Sequence, residues 1–451
     1  MTVSAPSVRE ELFGRSRRSV TVGILLLISL VAFEQLGVGA AMPAVVADLA
    51  RVEDYAWPFV AFVATTVVGT VLGGRWCDAR GPRLVLLLAP AVFGLGLLVA
   101  GTADTFVQLL AGRLLQGFGA GGQGVAVYVL IAQVYSERAR PAVFGLVSSA
   151  YVLPALVGPP IAGVMTQYLS WHWVFLGLLP LVGVAVLLVL PAVRGLTPPA
   201  EPAGPRQGLV PAALGAAAGV AGLSWAGQRP TVAGAIVAVV ALALLLPALR
   251  RLAPAGTFRA RRGIPAVVAG RGLISGAFFA TTAYLPLMLT ATHGWSLTAA
   301  GFPLIAGSLG WSAAAAWQGR RPELSRPRLL RIGMVAVAVG TIGMLAVAPA
   351  WGLAWLAVPL WLLAGIGMGL GYSSLSALLL AGSTPDDTGY HSSAALLADQ
   401  LTQATFVGLG GALLALLVSP AVALPVLVVV LAALAATGAV IAPRTAPRTG
   451  P

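Results

Sequence analysis

Two acidic residues, Glu34 and Asp399, interrupt long apolar stretches of the sequence. Placing a carboxylate at the middle of a bilayer costs about 2.5–3.5 kcal/mol, so such a residue is usually retained for a function. A carboxyl group removed from water also binds a proton more readily than an exposed one. Arg113, a cation inside another apolar stretch, is the natural partner for a buried acid. We therefore predict that Glu34 and Asp399 take part in binding and releasing protons, with Arg113 as the partner of a buried acid.

Each of these residues also has a purely structural interpretation. Glu34 could form a permanent ion pair with an arginine, and Asp399 could belong to a hydrogen-bonded cluster between helices. Arg113 lies close to one end of its apolar stretch, so its side chain could instead extend to the membrane surface. For Arg271, which is equally close to an end of its stretch, we expect this outward extension.

The residues around Asp399 form a polar helix face. Asp399, Thr402 and Gln403 are spaced i, i+3 and i+4, which places them on one side of a helix. A polar face on an otherwise apolar helix predicts the wall of a cavity. The residues predicted to line a substrate cavity share a polar or aromatic side chain in an apolar stretch: Gln123, Tyr151, Tyr284, Gln400 and Gln403. For any one of them alone, packing is the alternative.

The composition is that of a helical membrane protein. The sequence of 451 residues is 58% hydrophobic and 9% charged, whereas soluble domains are about 45–50% apolar and about 25% charged. Its apolar runs are continuous rather than alternating, which favours helices over a membrane β-barrel. The single cysteine, Cys77, excludes an intramolecular disulfide and a metal site built from several cysteines. The three histidines are too scattered to suggest a metal site, and we expect no cofactor.

About 20 apolar residues are needed to cross a bilayer as a helix, and the sequence contains fourteen such segments. Their predicted limits are 20–42, 56–76, 83–102, 105–135, 141–166, 171–193, 208–228, 231–250, 263–290, 294–318, 328–349, 352–381, 389–417 and 420–442. The segments 208–228 and 231–250 are the weakest, and the alternative is a twelve-helix protein with an apolar linker. The first segment resembles a signal peptide, but Glu34 interrupts it, so we expect an uncleaved first helix.

The distribution of arginine predicts the orientation. All 27 basic residues are arginine, and 23 of them fall on one side of the predicted membrane when the connections are assigned alternately to the two sides. Only Arg51 and Arg229 fall on the other side, and Arg113 and Arg271 lie within segments. Basic residues are enriched in cytoplasmic loops, so both termini are predicted to be cytoplasmic. The net charge of +13 is therefore assigned to membrane anchoring, and no nucleic-acid partner is expected.

The sequence contains an internal repeat. The charged segment GRWCDARGPR (74–83) returns in degraded form as GRRPELSRPR (319–328), and LLQGFGAG (114–121) returns as LLAGIGMG (362–369). The two offsets, 245 and 248 residues, are nearly equal, which predicts two homologous halves. We expect an N-terminal six-helix bundle over 1–193, a linker with two inserted helices over 194–252, and a C-terminal six-helix bundle over 253–451.

These motifs resemble those of the major facilitator superfamily. Gly74, Asp78, Gly81 and Arg83 match its signature between the second and third helices. Arg113-Leu-Leu-Gln-Gly-Phe-Gly resembles its fourth-helix signature, which implies a role for Arg113 in proton coupling. The residues that resemble the fifth-helix antiporter motif are Pro154, Gly158, Pro159 and Gly163, and Ala162 departs from that motif. Glu34, nine residues before Pro43, resembles the acid-to-proline spacing of the fourteen-helix drug:proton antiporters.

The resemblance implies an all-α fold of two six-helix bundles plus two inserted helices, and Gly74, Asp78, Gly81 and Arg83 acting as a cytoplasmic latch. It implies a monomeric, proton-coupled exporter of amphipathic or cationic small molecules in a bacterial cytoplasmic membrane, working by alternating access. The alternatives are export of a lipid or a self-made secondary metabolite and, more remotely, a membrane receptor or scaffold that transports nothing. An enzyme is not expected, because the sequence shows no nucleophile–base or metal constellation.

Overall fold

The computed structural model describes residues 8–14, 17–136, 152–196, 208–229, 231–321, 323–383, 388–417 and 419–446, together with 139, 143, 146, 147 and 150. These residues form helices and short connections, and no β-strand occurs among them. A short helix, Val8–Phe13, precedes the first long one.

Fourteen helices follow the predicted segments closely, and thirteen of them are long and apolar enough to cross a membrane. The exception is α5, of which 17 residues are described. In chain order they are α1 Arg18–Asp48, α2 Trp57–Arg80, α3 Arg83–Gly101, α4 Phe106–Val134, α5 Val152–Tyr168, α6 His172–Arg194, α7 Leu209–Gly227, α8 Val232–Leu252, α9 Ile264–His293, α10 Leu297–Gly319, α11 Arg326–Ala346, α12 Ala354–Ala381, α13 Thr388–Leu417 and α14 Pro420–Ile441. The chain is thus a multi-pass membrane protein.

Both ends of the described chain lie at one end of the helix bundle, here called the termini face, and the other end is called the opposite face. Glu11, before α1, accepts hydrogen bonds from Ser136, just after α4. The backbone amide of Gly263, before α9, donates to the carbonyl oxygen of Arg444, after α14. Helices therefore start and finish alternately at the two faces, as the arginine pattern predicts.

Small residues let the helices within each half approach closely, and they do so in the same way in both halves. A Cβ atom on Gly117 of α4 would clash with the backbone of Phe62 in α2, and one on Gly365 of α12 would clash with Gly307 in α10. Gly121 in turn faces Thr66. Residues 62 and 307 are 245 apart, and Gly117 and Gly365 are 248 apart. The internal repeat in sequence is therefore also a repeat of packing.

The inserted pair, α7 and α8, packs against itself and against both bundles. In α7, Ser224 lies against Gly408 of α13, and Gln228 accepts a hydrogen bond of 3.0 Å from the indole of Trp57 at the start of α2. Both helices have 19 or more residues. Each is long and apolar enough to cross a membrane, which disfavours the twelve-helix alternative.

The two bundles contact one another at the opposite face. The hydroxyl of Tyr55 donates to the carbonyl oxygen of Ala283 at 2.6 Å. Thr298, at the start of α10, donates to the side chain of Gln167 in α5 at 3.0 Å. A Cβ atom on Gly163 of α5 would lie only 3.0 Å from the Cα of Thr298. These contacts join α2 and α5 of the first bundle to α9 and α10 of the second.

Candidate proton and substrate sites

A fully buried ion pair lies inside the N-terminal bundle. Glu34 of α1 is paired with Nη1 of Arg113 in α4, and their side chains are 0% and 2% exposed. The guanidinium group is held by neutral acceptors as well. Its Nε donates to the carbonyl oxygen of Pro58 at 2.9 Å, and Nη1 donates to the side chain of Gln116 at 2.7 Å. Its charge also lies over the ring of Phe62, 4.7 Å from the centroid.

The two members of this pair depend on each other unequally. No hydrogen-bond donor other than Arg113 approaches the Glu34 carboxylate within the described part of the chain. Arg113, by contrast, keeps a carbonyl oxygen, an amide oxygen and an aromatic face when Glu34 is set aside. Glu34 therefore has Arg113 as its one described partner, whereas Arg113 has neutral acceptors besides Glu34.

A second buried ion pair lies inside the C-terminal bundle. Arg271 of α9 donates to Asp399 of α13 from Nε at 3.2 Å and from Nη2 at 2.6 Å. Asp399 also accepts from the hydroxyl groups of Ser275 and Tyr372, at 2.8 and 3.1 Å. Arg271 donates further to Ser376 at 2.8 Å. Asp399 is therefore held by several donors, unlike Glu34.

The expectation for Arg271 was wrong. Arg271 is only 5% exposed, and its side chain turns into the bundle instead of extending to the membrane surface. The reason is the partner set: a carboxylate and two hydroxyl groups accept hydrogen bonds from the guanidinium inside the bundle. No local spacing in the sequence joins Arg271 to Asp399, because the two are 128 residues apart.

Three half-buried aromatic residues lie beside this second pair, and the sequence analysis did not predict them as a group. The ring of Trp311 in α10 is 6.0 Å from that of Phe279 in α9 and 5.7 Å from that of Tyr372 in α12. Tyr372 also stacks on Arg271 at 3.7 Å. A polar run, Tyr372 to Ser376, interrupts the apolar α12 and was the signal available in the sequence.

Of the residues predicted to line a cavity, two are packed inside the protein, which corrects those predictions. Tyr284 is 2% exposed, packs 5.4 Å from the ring of Tyr55 and donates to the carbonyl oxygen of Val407. Gln123 is 1% exposed and donates to the carbonyl oxygen of Leu27 in α1 at 2.9 Å. Both side chains therefore hold helices together.

The remaining predicted cavity residues stay predictions. Gln400 and Gln403 are half-buried on α13, and the amide oxygen of Gln400 has no hydrogen-bond partner among the described residues. Tyr151 lies outside the described residues. Tyr128 of α4, 43% exposed, is close enough to Arg271 for an electrostatic interaction across the space between the bundles.

No group of three or more His, Cys, Asp or Glu side chains that could hold a metal ion occurs among the described residues. Outside the membrane-spanning segments, Glu11 has a perturbed pKa. The backbone amide and the hydroxyl of Ser136 donate to its carboxylate at 2.7 and 2.8 Å, and Arg17 lies 2.8 Å away. These donors lower the pKa of Glu11 below its usual 4.5. The short N-terminal helix is thereby tied to the end of α4.

Comparison with known proteins decides the family. The profile of the Major Facilitator Superfamily matches residues 24–407. The chain belongs to this superfamily. Multidrug resistance protein 3 of Bacillus subtilis is 24% identical over 376 residues, which is 80% of this chain and 72% of that protein. Efflux pump aunC of Aspergillus niger is 28% identical over 375 residues, which is 78% of this chain and 70% of that protein.

Three other curated relatives of this facilitator, each 31% identical, match over 36% or 41% of their own length, so the chain spans less than half of those proteins. Among solved structures, an auto-inhibited peptide transporter of the POT family has a TM-score of 0.68 at 17% identity. The match covers 95% of this chain and 98% of that chain. This likeness shows the major facilitator fold and nothing about the substrate.

The segment predicted as the facilitator's cytoplasmic latch is mostly helical, not the loop that was expected. Gly74 and Asp78 lie in the last turns of α2, and Arg83 begins α3. Only Gly81 and Pro82 separate the helices, and Gly81 has a φ of +80°, which a glycine adopts without strain. A Cβ atom on Gly74 would meet only Val125, at an ordinary 3.7 Å. Gly74 therefore does not lie at a close contact between helices.

The antiporter motif of α5 sits where the two bundles meet. Gly158 lies against Gly37 of α1, and a Cβ atom there would be 3.6 Å from the Cα of Gly37. Gly163 abuts the start of α10, and Pro159 lies against Gly301 of that helix. Pro154, also predicted, is a buried residue in the first turn of the described helix. Gly163 is therefore a close-packing position, whereas Gly158 makes an ordinary contact.

Proposed function

We propose that the protein exports amphipathic or cationic small molecules in exchange for protons, by alternating access between its two bundles. Family membership and relatives named as efflux pumps support export. The observation that carries the proton coupling is the unequal dependence within the Glu34–Arg113 pair.

The unequal pair supports a simple coupling cycle. When the bundles part at the opposite face, water reaches Glu34 and the carboxyl group takes up a proton. Arg113 still donates hydrogen bonds to Pro58 and Gln116 and still lies over the ring of Phe62, so these groups continue to stabilise the cation. Breaking a buried pair by removing one charge normally costs about 3–5 kcal/mol, and these neutral acceptors reduce that penalty. When the other face opens, Glu34 releases its proton and pairs with Arg113 again.

The arginine distribution supports a cytoplasmic position for the termini face. Because the described contacts between the bundles lie at the opposite face, the structure corresponds in this proposal to the inward-facing state. When the termini face closes, the latch residues Asp78 and Arg83 would help to hold it closed. The helix α5 would at the same time slide against the start of α10 at Gly163. Rigid-body rocking of two repeats about a central site is the usual mechanism of transporters built in this way.

The half-buried aromatic residues support the proposed substrate class. Phe279, Trp311 and Tyr372 offer ring faces to an apolar or cationic compound. Asp399, beside them, supplies a negative charge that is partly neutralised by Arg271. Such a mixed surface accepts compounds that carry both a ring and a positive charge.

The test is transport by purified protein in proteoliposomes with an imposed proton gradient. We expect proteoliposomes with the wild type to accumulate a cationic dye when the proton gradient is present. Accumulation should stop when the gradient is collapsed. Glu34→Gln keeps the shape of the side chain but cannot exchange a proton, so its gradient-driven transport should fall at least tenfold. Asp104→Asn, an exposed acid at the opposite face, is the matched control and should transport normally. Unchanged gradient-driven transport by Glu34→Gln would refute the coupling role.

The same proteoliposomes distinguish between the candidate classes of substrate. A panel of cationic dyes, uncharged aromatic compounds and fluorescent phospholipids is added in turn, and proton movement is recorded with a pH-sensitive dye. Proton movement stimulated by the dyes supports the proposal. Stimulation by phospholipids alone favours lipid export instead, and no stimulation by any compound favours a protein that transports nothing.

A further inference from the structure

A crevice of about 490 Å³ separates the inserted helix α8 from the C-terminal bundle. Its walls are apolar and come from four helices: Leu245 and Leu249 of α8, Leu273 of α9, Leu401 and Phe406 of α13, and Leu434 of α14. Lining residues on α13 extend from Ala394 to Phe406, which is about 18 Å at 1.5 Å per residue. The crevice is therefore long, narrow and apolar, and it begins near the termini face.

The crevice exists because the inserted pair is attached mainly at the opposite face. There Ser224 of α7 lies against Gly408, and Gly227 lies against Ala412. The helix α8 is also the least buried of the thirteen spans. A chain-shaped apolar molecule would fill the gap that this arrangement leaves.

The mouth of the crevice is strongly basic. Arg259 and Arg444 both line it, and the guanidinium of Arg444 approaches the carbonyl oxygen of Arg259 at 3.4 Å. Neither has a carboxylate partner among the described residues. The sequence contains no acidic residue between Glu201 and Glu323, nor after Asp399. Phe258, 65% exposed beside the mouth, suits the headgroup depth of a membrane.

From the apolar walls and the basic mouth together, we propose that the crevice binds one anionic phospholipid of the membrane. An acyl chain lies between α8 and α13, and the phosphate group contacts Arg259 and Arg444. Neither Arg271 nor Asp399 lines the crevice, although its lining residues Gly272 and Ala398 are their chain neighbours. A lipid bound here would brace the helices that carry that ion pair.

The test is native mass spectrometry of the full chain in detergent, titrated with phosphatidylglycerol or with phosphatidylcholine. An arginine near a membrane surface contributes a factor of roughly five to the binding of an anionic lipid. We expect the wild type to prefer phosphatidylglycerol at least tenfold, and Arg259→Gln with Arg444→Gln to reduce this preference to threefold or less. Ala269→Phe, which fills the crevice, should weaken the binding of both lipids.

The matched control removes two exposed arginines from the same face but away from the crevice, Arg194→Gln with Arg328→Gln. It should retain the wild-type preference. The proposal is overturned if the control loses as much preference as the crevice variant, since general surface charge would then explain binding. Equal retention of both lipids by the wild type, or unchanged binding in Ala269→Phe, also overturns it. None of these outcomes depends on transport or on Glu34.

Discussion

The Arg271–Asp399 pair should behave as a coupled unit in unfolding. Replacing Asp399 by leucine removes the three hydrogen bonds between these side chains and those from Ser275 and Tyr372. Each hydrogen bond to a charged group is worth about 1.5–3 kcal/mol, but Ser376 and Tyr372 still accept from the guanidinium. The expected loss is therefore about 3–5 kcal/mol, the usual result of leaving one buried charge without its partner.

Arg271→Met should cost a similar amount, because it leaves the carboxylate with only two hydroxyl donors. The double variant removes both charges, and its free energy of unfolding should fall by far less than the sum of the decreases in the two single variants. The assay is the free energy of unfolding of the purified protein in detergent, measured by steric trapping for the wild type and all three variants. A double variant whose loss equals that sum would refute the inference that the two side chains stabilise each other.

Three further predictions concern other parts of the molecule. Gly365→Ala should lower the thermal unfolding midpoint because a Cβ atom would clash with the backbone of α10, whereas Gly124→Ala, with open space around it, should not; equal midpoints would contradict the packing argument. Since Ser136 lowers the pKa of Glu11, the tie between the N-terminal helix and α4 should be present above about pH 4.5 and be lost as pH falls further. Proteolysis near the N-terminus across this range should rise on acidification in the wild type and be high throughout in Glu11→Gln, and a flat wild-type profile would argue against the tie. Asp78→Asn should impair transport while substrate binding, measured by dye fluorescence, stays intact; a selective loss of binding would contradict a latch.

Much of the fold could be predicted from the sequence, because each membrane helix is a long apolar run whose ends are marked by arginine, proline or glycine. The predicted limits of α3 and α14 differ from the observed ones by at most one residue. The internal repeat was also predictable, since the glycines of α4 and α12 are fixed by the need for close backbone contact. Periodicity could not show that residues 74–80 continue a helix, because polar helix ends resemble loops.

The candidate sites were predictable only in part. An acid in an apolar run is conspicuous, so Glu34, Arg113 and Asp399 could be named from the sequence. Partner choice depends on how helices rotate against one another, which single-chain spacing does not encode. Arg271 was therefore missed as the partner of Asp399, and Tyr284 was assigned to a cavity although its ring faces Tyr55.

Proton release on substrate binding is the most direct measure of whether Glu34 carries the transported proton. Purified protein in weakly buffered detergent solution is mixed with a cationic dye substrate while a pH indicator is followed. The wild type and Asp104→Asn should both release protons with the same pH dependence, and Glu34→Gln should release none while still binding the dye. Release by Glu34→Gln at the wild-type level would contradict the claim and would assign the proton to another group.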